Sequence, residues 1–156
     1  MATKLFLLLA VCVLPVIVSA NRQPFQIVGQ VYCDACRAGF ETTKCSYIHG
    51  ARVKIECKDR NSMRLKYSVG AVTDATGTYN ISVEDDHQDQ ICYVRLVSSP
   101  IKSCAVQDTR RNTATVILTH SNGAISNIHP ANAMGFLQDK PAAGCQELLL
   151  SLLRDA

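Results

Sequence analysis

Hydrophobic and polar side chains alternate with a period of two over much of this 156-residue chain, the pattern of strands with one buried and one exposed face. In QIVGQVYC, Ile27, Gly29, Val31 and Cys33 fall on one face and Val28, Gln30 and Tyr32 on the other. In ARVKIECK, Val53, Ile55 and Cys57 alternate with Arg52, Lys54, Glu56 and Lys58. TYNISVE sets Tyr79, Ile81 and Val83 against Asn80, Ser82 and Glu84. LKYSVGAV, ICYVRLV and TATVILTH are further β-rich runs, and AISNIH is a weaker one. KDRNS, TDATG, EDDHQDQ, SSP and HSNG separate them and carry the residues of turns. About seven short strands at this spacing predict an all-β sandwich or barrel. One helix is expected, at the end. In GCQELLLSLLRDA, Glu147, Ser151 and Arg154 share a polar stripe and five leucines form an apolar face, which should pack on the sheet with Cys145 as its tie.

The first 20 residues do not follow this pattern. Lys4, the apolar run Leu5–Val18 and the small residues Ser19 and Ala20 have the layout of a secretory signal peptide. The run is shorter than the ~20 residues a membrane span requires. Residues 1–20 are therefore set apart from the fold, and residues 21–156 are expected to form one domain that is secreted to the extracellular space, with no membrane span. Without Lys4, the 16 basic residues become 15 against 13 acidic ones. So small an excess, with no Trp in the chain, argues against a nucleic-acid partner.

Seven of the eight cysteines remain after the leader: Cys33, Cys36, Cys45, Cys57, Cys92, Cys104 and Cys145. In an oxidising compartment this set reads as a disulfide framework with one thiol left over. Spacing alone does not choose the pairs. Cys33-x-x-Cys36 would be a redox motif at a strand-to-helix turn, but here it ends a β-strand with no helix following. On a continued strand, residues three apart face opposite ways, so each sulfur would seek its own distant partner. A zinc finger would need a His three to five residues after His49, and the next is His87. No cofactor, metal or catalytic constellation is implied. The run Glu84, Asp85, Asp86, His87, Gln88, Asp89 lacks the spaced oxygens and central Gly of a calcium loop and reads as a solvated turn.

Two surfaces remain. Residues 51–66 carry Arg52, Lys54, Lys58, Arg60, Arg64 and Lys66 against Glu56 and Asp59, a face that could attract an acidic polysaccharide or protein. The turn with Glu84, Asp86 and His87 is the second candidate contact, His87 adding pH sensitivity. Asn80-Ile81-Ser82 is an N-glycosylation sequon, on the polar side of its strand.

GQVYCDACRAGF, GARVKIECKD, YNISVEDDHQDQICYVRLVSSPIKSC, ANAMGF and the last Cys together resemble the secreted pollen proteins of the Ole e I type, from about residue 25 to about residue 150. The resemblance implies an all-β barrel or sandwich closed by three disulfides, Cys33–Cys104, Cys36–Cys145 and Cys57–Cys92. Cys45 has no counterpart in the family pattern and is the candidate free thiol, able to join two chains as a dimer. Ala-Met in HPANAMGF replaces the family's common Pro-Leu. Members are extracellular, often glycosylated and often allergenic, without established enzymatic activity, and are associated with pollen-tube growth. The expected role is therefore binding to a receptor-kinase ectodomain or a cell-wall polysaccharide. The alternatives are a thiol–disulfide oxidoreductase using Cys33 and Cys36, which would have to bond to each other, and a secreted protease inhibitor.

Overall fold

The computed structural model describes residues 22–123 and 125–156; the leader assigned to residues 1–20 lies outside them. Strand β1 (Phe25–Asp34) organises half of the molecule. Its alternation buries Phe25, Ile27 and Val31, and its ten residues are long enough to serve successive partners on both edges. Residues along its first half pair antiparallel with β5 (Thr78–Val83) and parallel with β9 (Ile128–Pro130). Its second half pairs antiparallel with β2 (Ser46–Tyr47) and parallel with β10 (Met134–Leu137). β7 (Val106–Gln107) completes this sheet on the far side of β10.

The second sheet has the order β4-β3-β6-β8, formed by β3 (Arg52–Asp59), β4 (Leu65–Val72), β6 (Gln90–Ser98) and β8 (Thr113–Val116). All its pairings are antiparallel. Val53, Ile55, Val94, Leu96, Ala114 and Val116 point inward to meet Phe25, Ile27, Ile81, Val83, Met134 and Phe136 in one core. The arrangement is a sandwich of two sheets, not a closed barrel. The seven runs expected to be strands each contribute one, although TATVILTH leaves the sheet after Val116. Three short strands, β2, β7 and β10, join them.

Two tyrosines of the first sheet lie across glycines. Gly29 faces Tyr79 on β5 and Gly135 faces Tyr32 on β1. A Cβ on Gly29 would collide with the Tyr79 hydroxyl, and one on Gly135 would stand 2.8 Å from Tyr32 Cζ. These glycines are needed for close approach, because each ring occupies the space a side chain would take.

Helix α1 (Cys145–Arg154) departs from expectation. It is tied by Cys145 but packs its leucines only in part: Leu148 and Leu149 are half-buried, Leu150, Leu152 and Leu153 are exposed, and Cys145 is its buried residue. The tether is a disulfide to a loop rather than a groove on a sheet, so the tether fixes only the start of the helix.

Candidate binding surface

Beyond Asp34 the chain turns sharply. The buried Asp34 carboxylate accepts hydrogen bonds from the backbone N–H of Cys36 at 3.2 Å and of Gly39 at 2.7 Å, a local alternative to continuing the ladder. Strand β1 therefore stops before Cys36, and the two sulfurs separate through this turn rather than by strand alternation. Cys33 is bonded to Cys104, Cys36 to Cys145, and Cys57 to Cys92. Cys57 and Cys92 face each other directly across β3 and β6. Cys45 is a free, half-buried thiol whose sulfur accepts the Thr42 N–H at 3.3 Å.

The basic run lies on the outward face of the second sheet. Arg52, Lys54, Glu56 and Lys58 alternate with the inward Val53, Ile55 and Cys57. Register adds groups from neighbouring strands. Lys54 faces Arg95, which faces Thr113, and in the next rung of this face Glu56 faces Tyr93, which faces Thr115. Two cations directly opposite each other would destabilise a sheet. Glu56 offsets this. Its carboxylate lies 2.7 Å from Lys54 Nζ and 3.9 Å from Arg95 Nε, and it accepts the Tyr93 hydroxyl at 3.0 Å. The Lys54 ammonium holds this carboxyl below the usual carboxylate range; burial opposes that shift, and the Tyr93 hydroxyl and Arg95 reinforce it. Lys58 Nζ stands 5.3 Å above the Tyr93 ring, and the Tyr93 hydroxyl raises its pKa. Tyr93, Arg95, Gln107, Asn112, Thr113 and Thr115 line an open cleft of about 440 Å³ on this face. Gln107 is oriented by its amide, which donates to the Leu96 carbonyl at 3.3 Å.

Arg60 sits in the turn after β3 and donates to the Gln88 carbonyl at 3.3 Å. It thus bridges to the 84–89 turn. That turn is less available than its composition suggests. Glu84 is exposed, but Asp86 is spent on a latch, accepting the backbone N–H of Gln88 at 2.8 Å and of His120 at 2.9 Å and the Thr119 hydroxyl at 3.1 Å. His87, expected as a surface contact, is buried instead. Its Nδ1 meets Gln90 Oε1 at 3.0 Å and its ring lies 5.0 Å from that of Tyr67. Among the described residues, Cys57, His87 and Cys92 are close enough to hold a metal ion, but both sulfurs are committed to their disulfide. Asn80 is exposed on β5, accessible to a glycan.

Tyr93, Arg95, Thr113 and Thr115 were not singled out by the sequence reading. The alternation within ICYVRLV would have placed Tyr93 and Arg95 on one face, but not beside Lys54 and Glu56, because register does not follow from pattern.

These features define a class: a small β-sandwich cross-linked by three disulfides, with one open, basic sheet face. Residues 23–153 match the family described as Pollen protein Ole e 1 like, and the chain belongs to that family. It is 50% identical over 151 residues to Protein DOWNSTREAM OF FLC of Arabidopsis thaliana, covering 97% of this chain and 92% of that one. It is 44% identical to Pollen-specific protein C13 of Zea mays, covering 86% of this chain and 79% of that one. Among solved structures, the major plantain pollen allergen Pla l 1 superimposes with a TM-score of 0.71 at 28% identity, covering 78% of this chain and 99% of that one.

Proposed function

We propose that this protein is exported with loss of residues 1–20 and works outside the cell as a glycosylated binding protein of pollen-tube growth, not as an enzyme. The observation that carries the reading is the outward face of the second sheet, where Arg52, Lys54, Lys58 and Arg95 stand on one rigid surface around a single carboxylate. A cross-linked scaffold holds such a face without the ordering cost a flexible binder would meet on association. The family and the three disulfides fit an extracellular protein, and the exposed sequon at Asn80 fits passage through the secretory route. The oxidoreductase reading has less support, since Cys33 and Cys36 bond to separate, distant partners. The half-buried Cys45 is the position through which two chains would join.

The test is charge reversal at Lys54, Lys58 and Arg60. The purified secreted protein should adhere to pollen-tube walls or to receptor-kinase ectodomains, and the reversed variant should lose at least tenfold in affinity. Unchanged binding by a correctly folded variant would remove this surface from consideration.

A further inference from the structure

We infer that the cleft formed by Tyr93, Arg95, Asn112, Thr113 and Thr115, together with the flanking Lys54 and Lys58, binds a carboxylated polysaccharide, a chain of uronate sugars. This rests on the reading of the outer sheet face as the binding surface and names its ligand class.

Three features of the surface select that class. The first is the spread of its charge. Arg52, Lys54 and Lys58 occupy one edge-to-edge row of β3, and at a rise of about 3.3 Å per residue they extend over roughly 20 Å. A row of that length matches a ligand with repeated charges rather than a single small anion. The second is the cleft's lining. Beside the cations of β3, on β6 and beyond it, lie one half-buried aromatic ring, Tyr93, then the hydroxyls of Thr113 and Thr115 and the amides of Gln107 and Asn112. Hydroxyls and amides serve the ring hydroxyls of a sugar, Tyr93 offers an aromatic edge with its hydroxyl fixed by Glu56, and the exposed Arg95 guanidinium fits a carboxylate as a fork.

The third is what the face does not have. Protein interfaces centre on desolvated aromatic or arginine anchors and are depleted in lysine, whereas here two lysines flank an open cleft and Lys58 already lies over the one aromatic ring. Nor is there a series of aromatic platforms on which bases could stack. Glu56 has a defined place in this site. It holds Lys54 and Arg95 side by side against their repulsion, so that an incoming carboxylate meets two prearranged cations.

The experiment titrates the secreted, disulfide-intact protein with de-esterified polygalacturonate in calcium-free buffer. Fully methyl-esterified polygalacturonate, neutral galactan, dextran sulfate and single-stranded DNA serve as competitors. Binding should be saturable, should weaken with salt as screened charges do, and should fall at least tenfold when the carboxylates are esterified. The double variant Lys54→Ala with Arg95→Ala should lose at least tenfold, and Asn112→Ala with Thr115→Ala, which alters no charge, at least threefold. Lys102→Ala, at an exposed residue that does not line the cleft, should bind as the unaltered protein does.

Equal binding of the esterified or neutral chain would overturn the inference. So would equal affinity for dextran sulfate or DNA with no effect of the Asn112 and Thr115 changes, which is the behaviour of an unspecific polycation. If no polysaccharide binds, the same protein is passed over receptor-kinase ectodomains. Retention that is lost on reversing Lys54, Lys58 and Arg60 overturns the polysaccharide and leaves the binding-protein reading standing. No retention in either assay overturns both.

Discussion

The two sheets of this sandwich are built in opposite ways. In the second, four strands drawn from residues 52–116 pair antiparallel, and the bridge Cys57–Cys92 lies inside one strand pair. In the first, β1 collects partners from residues 46 to 137, two of them parallel. Its bridge at Cys33 and the neighbouring one at Cys36 reach 71 and 109 residues along the chain. The second sheet closes largely on itself and leaves one face free for charge. The first depends on long-range closure, and even the outward side of its β1 is occupied, with Tyr32 and Asp34 buried. The molecule thus separates the work of holding the chain together from the work of presenting a surface.

Removing the long bridge should break this comparison most visibly. Loop-closure entropy gives about 5 kcal/mol for the Cys36–Cys145 loop and about 4 kcal/mol for Cys57–Cys92. Replacing both members of each pair by Ala and measuring denaturant midpoints should therefore find the first loss the larger, by about 1 kcal/mol. An equal or reversed order would mean that the first sheet holds without its long closure.

The next effect comes from the glycine seats. Gly29→Val must displace the buried Tyr79 ring and should cost about 1–3 kcal/mol, while Gly70→Val, with nearest contact 3.5 Å away on the open sheet, should cost clearly less. Equal losses in thermal melts would erase the distinction between the packed and the open sheet.

Smaller still is Glu56→Gln, about 1 kcal/mol at neutral pH. The folded pKa of Glu56 is depressed by Lys54, so its contribution is present above the unfolded carboxylate value of about 4.5 and is lost as pH falls through the lower folded value. The variant should show a flatter fall of stability in that acid range; an unchanged slope would show that the ion pairs hold nothing together. The least effect is expected at Asn80. Asn80→Gln should remove one glycan from the secreted protein, seen by mass, and move stability by no more than about 0.5 kcal/mol. A larger loss would make the glycan a structural part of the first sheet.

The contrast between the sheets also governs what could be read from the chain. β3 and β5 alternate cleanly, because each keeps one face buried and the other wet, and such strands announce themselves. β2, β7 and β10 are two to four residues long, too short for a period to register, and they exist because β1 lies beside β2 and β10, and β10 beside β7. Met134 and Phe136 are wholly buried, yet nothing local marks MGFL as a strand. The same limit applied to the cleft. Lys54 and Lys58 were legible on β3, but Arg95, Thr113 and Thr115 reach them only through register. His87 misled because a polar turn around a residue says nothing of which way its own ring points. The leucines of α1 misled in the reverse sense, since an apolar stripe predicts burial only where a partner face is in reach.

One bridge has a consequence for digestion. Every peptide bond between residues 36 and 145 lies within the covalent ring closed by Cys36 and Cys145. A protease that cuts any single one of them opens a loop but releases no fragment, and the mass stays whole until a reductant is added. What one cut can shed are the ends: the residues before Cys33, and the helix beyond Cys145 with its exposed leucines. A molecule nicked between Cys36 and Cys145 therefore keeps both sheets in one covalent body and carries its basic face onward after the first cleavage.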